Sequence, residues 1–239
     1  MAINSAVVPN LRRHRAVSEE DQATDTERAY LEVIAYLADR HEPVFAAQLA
    51  RWFHVRPPTV TNMVQRLEHK RYITRDDSHH IMLTSSGQLL ADTIVRRHRQ
   101  LERFLFDIMG VPWHLVHQEA GKLEPALSPL LEARIFALVG DATTCPHGNP
   151  IPGSGAILRG ATQLHLAPSG AHFQITRIDE EAGEDTCTLQ FLAVHGLLPD
   201  VELTVLQQSP TFGLRVRHAK HQVSITRHVA MLIWGVVVS

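Results

Sequence analysis

Long apolar runs are missing from this 239-residue chain. A membrane-spanning helix needs about 18 consecutive apolar residues, and neither such a run nor a signal-peptide hydrophobic region is found. Cysteine is scarce: Cys145 and Cys187 are the whole complement, and neither belongs to a Cys-x-x-Cys pair. That excludes a disulfide framework and predicts a reducing cytoplasm. Net charge is only −2, so total charge predicts no polyanionic partner. Residues 148–153 are rich in glycine, but no Lys-Ser/Thr follows them, which excludes a phosphate loop. No His-Glu-x-x-His motif and no nucleophile–base pattern occurs. A metallohydrolase using the histidines described below therefore ranks low, and no enzyme is expected.

What is present is a chain with 44% hydrophobic residues, long enough for two or three small domains. Its charge is unevenly spread: residues 51–75 hold six Lys/Arg against one acid, Glu68. Sixteen histidines are an enrichment, most of them expected on the surface. Residues 85–108 organise the rest. Leu89, Leu90, Ile94, Val95, Leu101, Phe104, Leu105 and Ile108 recur at helical spacing, with Ser85 as candidate N-cap and Gly110 as candidate C-cap. Such a helix would be roughly 35 Å long. His98 and Glu102, four residues apart, share one of its faces.

The pattern predicts an α+β multidomain fold. Residues 1–25 read as a flexible tail, in which Arg12, Arg13 and Arg15 are solvated or brush phosphates. Residues 26–90 read as helix, helix–turn–helix and hairpin, which is a winged helix-turn-helix. Its third helix starts near Pro58 and buries Val60, Met63, Val64 and Leu67. The outward face carries Thr59, Thr61, Asn62 and Arg66: Asn62 suits an adenine edge and the threonines suit phosphate or a thymine methyl. Arg66 and Arg75 would neutralise phosphate. Residues 91–141 form a helical domain, with His114, His117, Glu119 and Glu124 on a helical pattern over 111–131. Residues 142–161 contain four glycines with Pro146, Pro150 and Pro152, and read as a linker. Residues 162–239 are β-rich, with strands expected at 172–178, 202–207, 213–218, 222–225 and 234–238, a small β-barrel.

Three stretches in order, PPTVTNMVQRLEHKRYI, LTSSGQLLADTIVRRHRQLERFL and HGNPIPG, resemble the iron- and manganese-dependent transcriptional repressors related to the diphtheria toxin repressor. Further on, LAPSGAHFQITRI, FLAVHGLLPDVELTV and FGLRVR resemble the SH3-like barrel shared with ferrous-transport accessory proteins. The resemblance covers residues 26–239. It implies a homodimer whose middle helices bind divalent metal, so that metal orders the amino-terminal helices on double-stranded DNA. It also implies regulation of metal-homeostasis genes, with two recognition helices about 34 Å apart on a palindromic operator.

Position by position, His98, Glu102 and His117 match three ligands of the family's ancillary site, and Glu184 falls near the carboxylate lent by the barrel. The primary site is depleted. Ala29, Gly121 and Pro125 stand where ligands are expected, leaving Glu124, while Glu32 matches a carboxylate of manganese-sensing members. Two imidazoles with carboxylates suit Mn²⁺ or Fe²⁺ in the cell, and Zn²⁺, Co²⁺ or Ni²⁺ in vitro. Cys145 and Cys187 match no ligand position. His114, His147 and His195 read as ordinary residues, Glu119 as solvated, and Arg96, Arg97, Arg99 and Arg103 as a charged face. The alternative is a metal-independent winged-helix factor whose sensor has degenerated, with metal content as the discriminator. A further reading, compatible with metal-dependent repression, makes the barrel a protein-interaction module.

Overall fold

The structure, a computed structural model, describes residues 23–156, 160–209 and 213–238. Residues 1–22, most of the expected tail with its three arginines, lie outside the described residues. Helix α1 (Asp25–Ala38) begins at a capping box: Thr24 receives the Glu27 backbone N–H, and Glu27 returns a carboxylate to the Thr24 N–H. Helices α2 (Ala46–Trp52) and α3 (Pro57–His69) follow, α3 opening on two prolines whose missing N–H groups need no partner in a first turn. Strands β1 (Ile73–Arg75) and β2 (Ile81–Leu83) pair as the wing, and Ile81 N–H reaches the Val44 carbonyl to tie the wing to the helices. Tyr30, Leu31, Ile34, Leu49, Val60, Val64, Leu67, Ile73 and Ile81 form one core, sealed by Ala91, Ile94 and Val95 from the next helix.

That helix, α4 (Ser85–Arg103), carries the long pattern, capped by Thr84 rather than Ser85. Thr84 accepts the Gly87 N–H while its hydroxyl donates to the Arg71 carbonyl, so cap and reader are joined at one residue. The pattern continues past α4 as a single π-helical turn, Phe104–Ile108, closed by the Met109 N–H on the Phe104 carbonyl. Gly110, at φ +67°, then ends it as the candidate C-cap requires. Leu89 and Ile108, both part of that helical pattern, are exposed. The single helical pattern over 111–131 is broken into α5 (Val116–Leu123), a 3₁₀ turn and α6 (Pro129–Val139), because Pro125 and Pro129 cannot donate within a helix.

Residues 142–156, read as a linker, are packed instead. Cys145, His147, Gly148, Asn149 and Ile151 are buried. Composition misled here because glycine and proline also build tight buried loops. Gly148, at φ +85°, lies so close to the strand His172–Ile178 that a β-carbon would strike the Thr176 carbonyl. Asn149 donates to the Ile178 carbonyl, and Ile178 N–H donates to His147.

The last domain is a six-stranded antiparallel sheet in the order β3-β8-β4-β5-β6-β7. Its strands are β3 (Thr162–Gln163), β4 (His172–Ile178), β5 (Glu202–Ser209), β6 (Gly213–His218), β7 (His221–Ile225) and β8 (Ile233–Val238). Helices α7 (Thr186–Val194) and α8 (Arg227–Leu232) close it over Phe173, Ile175, Leu189, Val205, Val216 and Ile233. The strands expected from alternation fall where the sheet has them. A five-residue 3₁₀ turn, Glu180–Glu184, leaves β4 towards the helical domain.

Candidate metal centre

Helix α4 presents His98 and Glu102 one turn apart, and α5 brings His117 against them. Glu102 is fully buried and His98 is 4% exposed. Glu102 Oε1 lies 3.0 Å from His117 Nδ1, 3.4 Å from His98 Nε2 and 3.5 Å from His147 Nδ1. His98 Nε2 and His117 Nδ1 are themselves 3.1 Å apart. Three rings thus converge on one carboxylate oxygen. The other, Oε2, is buried and has no hydrogen-bond partner among the described residues. Leaving such an acceptor unpaired costs about 1–3 kcal/mol, and more when charged, which makes Oε2 a candidate donor to a bound cation.

Burial would raise the Glu102 carboxyl, but His147, His117 and His98 hold it well below the usual carboxylate range. Burial would lower His98, yet hydrogen bonding to Glu102 and Glu124 carries it well above the usual imidazole range. His117 is likewise pushed up to about 9, against burial, by Glu102 and Glu184. The 3.1 Å contact requires one of the two facing nitrogens to accept, so the pair holds fewer protons than two independent imidazolium ions would. The cluster is a fixed anion surrounded by exchangeable protons, the arrangement a divalent cation displaces.

Among the described residues, three overlapping groups of candidate donors meet here. In His98–Glu102–His117, in Glu102–Cys145–His147 and in Glu32–His98–Glu124, the candidate ligand atoms lie within 4.8 Å of one another. Glu102 belongs to the first two groups and His98 to the first and third. From the barrel's 3₁₀ turn, Glu180 Oε2 stands 3.8 Å from His117 Nδ1 and Glu184 Oε1 3.9 Å from His117 Nε2. Imidazoles, carboxylates and one thiol, with an unpaired buried oxygen at their centre, fit a first-row divalent metal.

The candidate DNA-reading face is separate. Pro58, Thr59, Thr61, Asn62 and Arg66 are exposed on α3, while Val60, Met63, Val64 and Leu67 are buried, as the spacing predicts. Arg66 and Lys70 both reach the buried Glu27 of α1, at 3.1 and 3.0 Å. Arg75 is engaged bidentately by Glu68, its two contacts at 3.1 and 2.6 Å. Both expected phosphate partners therefore carry acidic neighbours in this structure.

Family models described as "Iron dependent repressor, N-terminal DNA binding domain", "Iron dependent repressor, metal binding and dimerisation domain" and "FeoA domain" match residues 22–81, 84–153 and 162–237. The iron-dependent repressor IdeR of Mycobacterium leprae is 30% identical over 192 residues, covering 76% of this chain and 84% of that protein. The diphtheria toxin repressor of Corynebacterium glutamicum is 34% identical over 161 residues, 67% and 68% of the two chains. The chain belongs to the iron-dependent repressor family. Among solved structures, a manganese-dependent transcriptional repressor in complex with manganese superposes with TM-score 0.76 at 32% identity, covering 89% of this chain and 100% of that one. The likeness supports the metal-dependent repressor reading and not the metal-independent alternative.

Within this repressor, Ala29, Gly121 and Pro125 line a cavity of about 890 Å³ beside Glu32, His98 and Glu124. Two carboxylates at this cavity approach His98 Nδ1, Glu124 at 3.5 Å and Glu32 at 3.9 Å. Cys145 matches no ligand position of the family and His147 reads as an ordinary residue, yet both are buried and share a candidate donor group with Glu102. Their Cys-x-His spacing was the available signal, hidden by the linker reading of the surrounding prolines. The four arginines of α4 are not simply a charged face. Arg96, Arg99 and Arg103 donate to the carbonyls of Pro152, Pro150 and Thr144, clamping the 144–152 loop against α4. Arg99 is buried and pairs with Glu180 at 2.9 Å. Glu180 was not singled out from the sequence; in a run of acids nothing marks the buried member.

Proposed function

We propose that this chain is a metal-activated repressor of metal-homeostasis genes, acting as a homodimer on a palindromic operator in the cytoplasm. His98, Glu102 and His117 would hold Mn²⁺ or Fe²⁺, with Glu184 lent by the barrel, Glu124 and Glu32 on the α1 side, and Cys145 and His147 behind Glu102. The observation that carries this reading is the buried Glu102, ringed by three imidazoles with Oε2 unpaired. When bound, the ion supplies a fixed double positive charge in place of protons. The chain's own residues do the rest. Glu32 draws α1 of the reader towards the centre, and Glu27 of the same helix holds Arg66 and Lys70 of the recognition helix. A ligand that favours one placement of α1 therefore biases the placement of α3, and such couplings are typically worth about 1–3 kcal/mol. Asn62, Thr59 and Thr61 would meet the bases and phosphates, with Pro58, Arg66 and Arg75 alongside the backbone.

The deciding experiment is anaerobic binding to the gene's own promoter fragment, first with chelator and then with Mn²⁺ or Fe²⁺. The expected outcome is at least a ten-fold tightening on adding metal, about 1.4 kcal/mol. Equal affinity in the two conditions would overturn the metal-activated reading.

A further inference from the structure

The 3₁₀ turn that leaves β4 has acidic side chains facing two ways. Asp179, 4% exposed, caps it by accepting the Glu181 N–H at 3.0 Å. Arg40, immediately beyond α1 of the reader, grips Asp179 with both oxygens engaged: Nε to Oδ2 at 3.0 Å and Nη2 to Oδ1 at 2.6 Å. The same Nη2 lies 2.7 Å from Glu181 Oε2, and Trp234 Nε1 steadies Asp179 from β8 at 3.2 Å. On the other side, Glu180 receives Arg99 of α4 and faces His117, which Glu184 also approaches. Gly183 lets that side close: a β-carbon there would collide with the His117 ring.

We propose that residues 179–184 form a coupling latch, through which Arg40 ties the end of the reader's first helix to the acidic turn leaning on the metal centre. Arg40 is thus a positioning residue for the switch rather than a ligand. This inference rests on the functional reading above. The turn is only five residues long and hydrogen-bonded to its own cap, so its two faces cannot shift independently. A bidentate guanidinium–carboxylate pair fixes orientation as well as distance. With Arg40 15% exposed and Asp179 4%, the pair is not one of the solvent-screened surface contacts that contribute little. A second route from metal centre to reader follows, running through the barrel and distinct from the Glu32 route within α1.

The test uses the full-length protein. Operator affinity is measured in chelator and in saturating Mn²⁺ for the parent, Arg40→Gln and Arg40→Lys, and Mn²⁺ alone is titrated into each by calorimetry. The expected result for Arg40→Gln is that the ratio of Mn²⁺-bound to chelated operator affinity falls about five-fold or more. Its Mn²⁺ affinity without DNA should remain close to the parent's, and Arg40→Lys, which can keep one contact, should recover part of the ratio. If Arg40 only stabilises the fold, both operator affinities fall together and the ratio is unchanged, which overturns the latch. Should Arg40→Gln fail to fold, Glu181→Gln spares the buried Asp179 pair. A smaller fall in the same ratio is then expected, and an unchanged ratio again overturns the proposal. A parent ratio of one would instead overturn the functional reading, and the latch with it.

Discussion

Glu102 shows how one residue sets the properties of a centre. Its charge is retained in a fully buried position because three imidazoles surround it, and its unpaired oxygen is the strongest structural argument for a bound cation. Replacing either flanking imidazole should separate folding from metal response. His98→Ala and His117→Ala are expected to fold in chelator with a lower Tm than the parent, because each takes a partner from the buried Glu102, and to lose the rise in Tm that Mn²⁺ gives the parent. For one intact site at a hundred-fold excess over Kd that rise reflects about 2.7 kcal/mol. An unchanged Mn²⁺-induced shift in both variants would remove them from the donor set. Protons provide a second check. In the metal-free chain His117 is raised from an ordinary 6.5 to about 9. Its charge therefore stabilises the metal-free fold fully below pH 6.5, and that contribution is lost as pH rises through about 9. Metal must displace this proton, so between those limits Mn²⁺ affinity should climb with pH. Calorimetric titration at pH 7.5 in two buffers of different ionisation enthalpy should show proton release that His117→Ala diminishes.

At the scale of elements, α4 is the common wall of reader, metal centre and loop. Its first turn grips the reader's backbone: Thr84 and Ser86 hydroxyls donate to the Arg71 carbonyl, and Gly87 faces the Tyr72 carbonyl with no room for a β-carbon. Gly87→Ala gains helix propensity but must push α4 off Tyr72. A net loss of about 1–3 kcal/mol is expected, the usual size of an overpacking penalty, read by urea denaturation. A neutral or stabilising result would mean that α4 and the reader are not held by this contact. Further along, Arg96, Arg99 and Arg103 recur every three or four residues, so one helix face addresses the 144–152 loop and positions Cys145 and His147. The residues that read as a solvated stripe are the means by which that loop is held.

For the whole molecule, the middle domain leaves an apolar surface uncovered. Ile108, Met109, Leu130 and Leu138 are 52%, 62%, 72% and 61% exposed, all within or beside the π-helical turn and α6. In a chain expected to dimerise, apolar side chains of this exposure on the helical domain are where a second copy would sit. Leu130→Glu combined with Leu138→Glu should shift the protein to monomer in sedimentation velocity and weaken operator binding by at least ten-fold. A variant that remained dimeric would place the interface elsewhere.

The sequence by itself determined the elements: the winged reader, the long helix with His98 and Glu102 on one face, and the strands of the barrel. These follow from local periodicity, capping and turn chemistry, which act over a few residues. It also delivered His117, because family resemblance supplied a position that spacing alone would not. Tertiary structure decided what each polar residue does. Cys145 and His147 became candidate donors because their loop folds back onto α4, and Glu180 became the buried acid of its run because the turn enters the helical domain at that residue. Arg40 joined the reader to the barrel across 139 positions of sequence. Contacts of that separation leave no periodic trace. They depend on how independently legible pieces pack, and in this protein the candidate metal centre lies where those pieces meet.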